Sequence, residues 1–132
     1  MKNPVHIRFK VISEIRHGSP YNITHLIIDG DFPFNINKEE AWQDKFSWST
    51  NKNSLALIKW ELLENEPGFK ILTYDFDKNK LYQSNRIIGC CNKIRLKNNL
   101  NSKYEVYKLI NGKEFGLVIE ENNTKNNLCN QF

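Results

Sequence analysis

The chain has 132 residues, of which 39% are hydrophobic and 12% aromatic, and its formal net charge is +4. This length and composition are typical of one domain with a hydrophobic core, which excludes wholesale disorder. The sequence contains neither an amino-terminal apolar run long enough for a signal peptide nor a stretch that approaches a membrane span. We therefore expect a cytoplasmic protein without a membrane-bound part, whose three cysteines are reduced.

Alternating apolar and polar residues predict antiparallel β-strands along most of the chain. Residues 5–16 alternate with period two, and after a Gly-Ser-Pro break a second strand is predicted at 22–29. Asn37 stands three residues before Glu40, which is the spacing of a helix capping box. One short helix is therefore predicted near residues 38–44.

The middle of the chain is predicted to supply the central strands. Residues 54–63 are apolar on both faces, which is typical of a strand that is covered on both sides. The β-prone stretch 46–50 precedes it, and turn residues separate it from further strands. Those strands are predicted at 69–76, 81–88 and 91–97.

The most specific local pattern is a hairpin near the carboxyl end of the chain. Two strands, 104–110 and 113–120, flank Asn111 and Gly112, and Asn-Gly suits both central positions of a type I′ turn. The cross-strand pairs that this turn predicts are Tyr104 with Ile119, Val106 with Leu117, Lys108 with Phe115 and Tyr107 with Gly116.

Together these elements predict a mainly β fold. We expect a single-domain antiparallel meander over residues 1–121 that forms a sandwich or a partly open barrel. Residues 122–132 have little to bury and are predicted to form a loosely ordered tail. An edge strand such as 5–16 could also pair between subunits.

One central segment has the pattern of a known repeat. Residues 48–56, Trp-Ser-Thr-Asn-Lys-Asn-Ser-Leu-Ala, resemble the opening of a repeat in the TolB-like or PD40-like β-propeller family, and the likeness continues to residue 88. The resemblance implies a blade-like meander of roughly 40 residues. A closed propeller needs at least ~4 blades, so this chain is too short to be one, and the family's function is not transferred to it.

No motif in the sequence predicts a catalytic or metal site. His6, His17 and His25 are the only histidines, and their spacing does not direct two ligands to one ion. Cys90 and Cys91 lie near basic residues, but neighbours on a strand point to opposite faces, which predicts one thiol in the core and one outside. We expect no cofactor, and an enzyme with an unrecognised site is the third functional hypothesis.

The first functional hypothesis is a protein-binding module. Arg16, His17 and Tyr21 surround a rigid turn, and together with Trp42 they have the side-chain types of a protein-contact surface. A small single domain without catalytic motifs suits a non-enzymatic protein that occupies a partner's surface. A specific form of this hypothesis is a small bacterial immunity or inhibitor protein that blocks a toxin.

The second hypothesis is a nucleic-acid-binding β module. Period two directs Lys93, Arg95 and Lys97 to the same face of one strand. Such a row can follow a phosphate backbone. It can equally be the solvated face of an edge strand, where lysine discourages unwanted pairing.

Overall fold

The computed structural model describes residues 5–14, 21–62, 67–110, 113–122 and 128–129. These residues are mainly β, as the sequence predicted, and all strand pairs are antiparallel. The described strands are β1 (His6–Glu14), β2 (Asn22–Asp29), β3 (Trp42–Trp48), β4 (Ser54–Trp60), β5 (Gly68–Asp75), β6 (Lys80–Gln83), β7 (Ile87–Ile88), β8 (Cys90–Leu96), β9 (Asn101–Ile110), β10 (Lys113–Asn122) and β11 (Leu128–Cys129).

The strands form two sheets. The larger sheet has the order β1-β2-β3-β4-β5-β6-β11, with β7 paired to β5, and the smaller sheet has the order β10-β9-β8. Side chains of β3 join the sheets, since Ser47 Oγ accepts a hydrogen bond from the backbone N–H of Leu96 at 2.9 Å. The described strands do not close into a barrel, which is consistent with the predicted sandwich or partly open barrel.

Strand β4 separates two hydrophobic cores because successive side chains point to opposite faces. The inter-sheet core lies between the two sheets and contains Tyr21, Ala56, Ile58, Trp60, Phe69, Ile71, Cys90, Cys91, Leu96, Tyr104 and Val106. The loop-covered core lies on the opposite face of the larger sheet and contains Val5, Ile7, Leu26, Phe34, Trp42, Leu55, Leu57, Leu72, Tyr74 and Leu81. The central position predicted for residues 54–63 is confirmed for Ser54–Trp60, whereas Leu62 is 47% exposed beyond the end of β4 and residue 63 lies outside the described residues.

The segment 31–38, which has no regular secondary structure, covers the loop-covered core. Phe34 is 4% exposed, and its ring lies 5.0 Å from that of Tyr74. Phe32 contacts both rings, at 5.4 Å from Phe34 and 4.9 Å from Tyr74. Aromatic residues of a loop therefore bury one face of the sheet in place of a further layer of strands.

The prediction of a short helix near residues 38–44 is wrong, because residues 38–39 form a turn and strand β3 begins at Trp42. Asn37 does cap the turn, because its side-chain oxygen accepts the backbone N–H of Glu39 at 3.0 Å. Trp42 then pairs with Lys59 of β4. A single helical turn is unfavourable on its own. Here the residues that a second turn would need pair with β4 instead.

The predicted strand 81–88 is interrupted at Ser84. The backbone N–H of Ser84 donates to the carbonyl of Ile71 at 3.0 Å, and the Ser84 hydroxyl accepts the N–H of Ile71 at 2.8 Å. The hydroxyl thus takes the place of a ladder carbonyl, and the chain leaves the sheet here before β7 returns to pair with β5.

The carboxyl-terminal hairpin has the predicted register. Strands β9 and β10 form ten consecutive pairs, including Tyr104 with Ile119, Val106 with Leu117 and Tyr107 with Gly116. The Asn111-Gly112 turn itself lies outside the described residues.

Part of the predicted tail belongs to the larger sheet. Leu128 and Cys129 form β11, which pairs with Tyr82 and Leu81 of β6. Residues 123–127 and 130–132 lie outside the described part of the chain. Strand β11 therefore forms the edge of the larger sheet that lies opposite to β1.

Candidate protein-contact surface

Two of the four residues predicted to contact a protein partner, Tyr21 and Trp42, are buried. Arg16 and His17 lie outside the described residues. Tyr21 is 9% exposed and packs in the inter-sheet core, with its ring 5.9 Å from that of Tyr107. Burial of Tyr21 corrects the surface position that we expected for it.

Trp42 also requires a correction. It is 1% exposed in the loop-covered core, and its indole Nε1–H donates to the carbonyl of Asn37 at 2.9 Å. The bond holds the covering segment against β3, so Trp42 supports the fold and presents no surface to a partner.

A different set of aromatic residues is accessible on the same face of the larger sheet. We call it the aromatic band, and it consists of Phe9, Phe32, Phe46, Trp48 and Phe76. The ring of Phe46 lies 5.9 Å from that of Phe9, Trp48 stacks on Phe76 at 5.7 Å, and Phe76 lies 5.9 Å from Phe32. Phe46 is 40% exposed and the other four residues are half-buried.

An irregularity in β3 creates the exposed part of the band. Gln43 pairs with Ile58 and Phe46 with Leu57, so two additional residues, Asp44 and Lys45, are inserted in β3 between these pairs. Bulges of this kind bend a strand and redirect its side chains. Beyond the bulge, regular alternation sends Phe46 and Trp48 to the same face.

The band continues onto the edge strand β1. Val11 is 57% exposed and follows Phe9 by two residues, and the neighbouring Ile12 is 48% exposed. The register of β1 against β2 shifts between Val11 and Ser13. Accessible apolar side chains therefore occur from β1 to Phe76, and apolar patches on a surface commonly mark interaction sites.

Sequence reasoning missed the aromatic band although part of its signal was present. The β-prone stretch 46–50 contains aromatic residues at positions 46 and 48, which alternation places on one face. Nothing local shows that the segment 31–38 covers Trp42 and leaves Phe46 accessible.

The basic row, which consists of Lys93 and Arg95 of β8 and Lys97 directly after it, has the predicted alternation but is partly neutralised. Lys93 and Arg95 are exposed, whereas Leu96 is 2% exposed. Lys97 Nζ contacts Glu120 Oε1 at 2.7 Å, and this bond holds the pKa of Glu120 below its usual value. Glu105 lies opposite Lys93.

Both cysteines of the Cys90-Cys91 pair are buried, which corrects the expectation of one outward thiol. Cys91 is 0% exposed, and Cys90, at 7%, lies opposite Tyr107. Burial raises the pKa of Cys91 to about 12, so its thiol stays protonated at neutral pH. Within the described ranges, no three His, Cys, Asp or Glu side chains are grouped so that they could hold a metal ion.

Comparison with known proteins identified no relative of this chain. No family model, curated protein or solved structure matches the chain. The likeness of residues 48–88 to one propeller repeat thus stays a prediction, although β4, β5 and β6 are neighbours in the sheet. The described residues include no helix long and apolar enough to cross a membrane.

Proposed function

We propose that the protein is a non-enzymatic binding module that recognises another protein through the aromatic band. The observation that carries the proposal is that two pairs of accessible aromatic rings, Phe9 with Phe46 and Trp48 with Phe76, lie on one face of the larger sheet. Aromatic side chains supply large contact areas and are enriched among the residues that dominate binding energy.

The net charge of the chain suggests the character of the partner. At +4, the chain favours a partner with an acidic surface around the apolar contact. In its specific form, the proposal is that the partner is a toxin and the chain is its small bacterial immunity or inhibitor protein. In this proposal the aromatic band, which lies on the larger sheet beside the segment 31–38, supplies the surface that obstructs the toxin.

Substitution of Phe46 by serine tests the proposal. We expect a partner that co-purifies stoichiometrically with the native protein to lose on the order of 2 kcal/mol of binding free energy or more, because a central aromatic contact is removed. The measurement is calorimetric titration of the purified partner with each variant, after circular dichroism has shown that the variant is folded.

Ile88→Ser is the matched control, because Ile88 is 48% exposed and lies on β7, outside the band. It should bind the partner like the native protein. Equal affinity of the Phe46→Ser variant would exclude the band as the binding site. Absence of any stoichiometric partner in the native cytosol would contradict the proposed function as a whole.

The exposed cations of β8 support a second candidate function, binding of single-stranded nucleic acid. Arg95 lies opposite Lys103, which adds a fourth cation to the row of Lys93, Arg95 and Lys97. The carboxylates of Glu105, opposite Lys93, and of Glu120, beside Lys97, partly neutralise this positive charge. We therefore expect at most weak binding of a single-stranded oligonucleotide at low salt, measured by fluorescence anisotropy.

A tight, steeply salt-dependent interaction would instead favour this second function. The triple Lys93/Arg95/Lys97→Ala variant would then abolish it. The control removes three exposed lysines elsewhere, Lys10, Lys38 and Lys78. Comparable losses in both triple variants would indicate attraction by net charge without a defined site.

A further inference from the structure

A cleft of about 340 Å³ opens between residues 35–40 and the face of the larger sheet formed by β4, β5 and β6. Its walls include an ion pair, an apolar floor and an amide. Ligand pockets usually have volumes of about 300–1,000 Å³, so this one suits a small molecule. It is separate from the aromatic band, whose residues do not line it.

One wall of the cleft carries a positive and a negative charge side by side. Lys59 Nζ lies 2.5 Å from Glu40 Oε2, and their side chains are 25% and 40% exposed. Ion pairs with this much exposure contribute little to stability and open readily. The two groups are therefore available to a ligand that offers an opposite charge to each of them.

The remainder of the cleft combines side-chain amides with a small apolar floor. Leu72 and Leu81 form its floor, Ile36 lines the loop side, and the amide of Gln83 stands on β6. Strands β4 and β6 are separated by β5, which places Lys59 and Gln83 on strands about 10 Å apart. A ligand with a charged head and a short side chain spans that width.

Two lysines of neighbouring strands face each other beside the cleft. Lys70 lies directly opposite Lys59 on the same face, and like charges in this position destabilise a strand pair. The nearest carboxylate oxygen to Lys70 Nζ among the described ion pairs belongs to Glu61, at 3.7 Å. In the structure Glu40 and Glu61 compensate the two lysines, and a ligand carboxylate that replaces Glu40 at Lys59 keeps that compensation.

We propose that this cleft binds a free amino acid or a similar small zwitterion. The ligand carboxylate meets Lys59, its ammonium group meets Glu40, and its side chain lies on Leu72 and Leu81. Both partners of the opened ion pair regain an opposite charge in the complex. A molecule with only one of the two charges leaves either Lys59 or Glu40 unpaired.

Titration of the ¹⁵N-labelled protein with three related probes tests the proposal by NMR. The probes are L-leucine, N-acetyl-L-leucine, which lacks the ammonium group, and L-leucinamide, which lacks the carboxylate. We expect the chemical shifts of the Asn35 and Gln83 side-chain amide signals to change as L-leucine is added and to reach a plateau when the site is saturated. Each blocked analogue should bind about tenfold more weakly or worse. No saturation by L-leucine, or equal binding of the blocked analogues, would overturn the proposal.

Variants locate the charges that hold the ligand. Lys59→Gln and Glu40→Gln should each weaken L-leucine binding about tenfold or more. Lys70→Gln is the matched control, because it removes the opposite lysine, which does not line the cleft, and should leave the affinity within about threefold. An equal loss in the Lys70→Gln variant would refute the site. If a cleft variant fails to fold, the analogue series on the native protein still decides the outcome.

Discussion

Replacement of Trp42 by alanine is expected to lower the free energy of unfolding by about 3–5 kcal/mol. The side chain is 1% exposed and fills the loop-covered core, and its Nε1–H satisfies the carbonyl of Asn37. The substitution leaves a cavity between β3 and the segment 31–38 and removes the bond that joins them. Equilibrium denaturation in urea measures the change.

Two further variants separate the roles of the Trp42 side chain. Trp42→Phe keeps most of the apolar volume and removes the N–H donor, so a loss of about 1–3 kcal/mol is expected. Trp48→Ala removes a half-buried tryptophan of the same strand and should cost less than Trp42→Ala. A loss below about 1 kcal/mol for Trp42→Ala would contradict a core position and favour the contact role predicted from the sequence.

Replacement of Gln43 by leucine is expected to have the second large effect on stability. Gln43 is 0% exposed on the face of β3 opposite Trp42. Its side chain bonds both backbone groups of Cys91, since Nε2 donates to the carbonyl and Oε1 accepts the N–H at 3.3 Å. Leucine has a similar size but leaves two buried backbone groups unpaired, at about 1–3 kcal/mol for each group.

The control for this prediction is Gln83→Leu, the same chemical change at a half-buried position that lines an open cleft. It should alter the free energy of unfolding by no more than about 0.5 kcal/mol. We also expect the Gln43→Leu variant to weaken the attachment of the smaller sheet, so that fluorescence and circular dichroism give non-coincident unfolding transitions. If Gln43→Leu is as mild as Gln83→Leu, the amide does not join the two sheets.

The carboxyl-terminal hairpin was predictable to the level of individual residue pairs. Its register depends on a two-residue Asn-Gly connection and on alternation over the flanking strands, and both are local properties of the chain. The same reasoning placed residues 54–63 in the centre of the sheet, because a strand that is apolar on both faces is stable only when both faces are covered.

The errors arose where distant segments compete for the same residues. The capping box at Asn37 and Glu40 is real as a local pattern, yet pairing of Trp42 with Lys59 ends the turn. Alternation predicted one outward thiol in the Cys90-Cys91 pair, but both cysteines are buried and belong to the inter-sheet core. Propensity and periodicity describe what a segment prefers alone, and tertiary contacts override weak preferences.

Local chemistry thus determined the carboxyl-terminal hairpin and the alternation within the central strand, because backbone alternation and turn geometry act over a few residues. Tertiary structure alone decided which faces of the strands are accessible. The segment 31–38 buries Trp42 and leaves Phe46 40% exposed, and it forms one wall of the cleft that holds the Lys59–Glu40 ion pair. Exposure depends on which remote segment packs over a side chain, and no pattern within the strand itself encodes that.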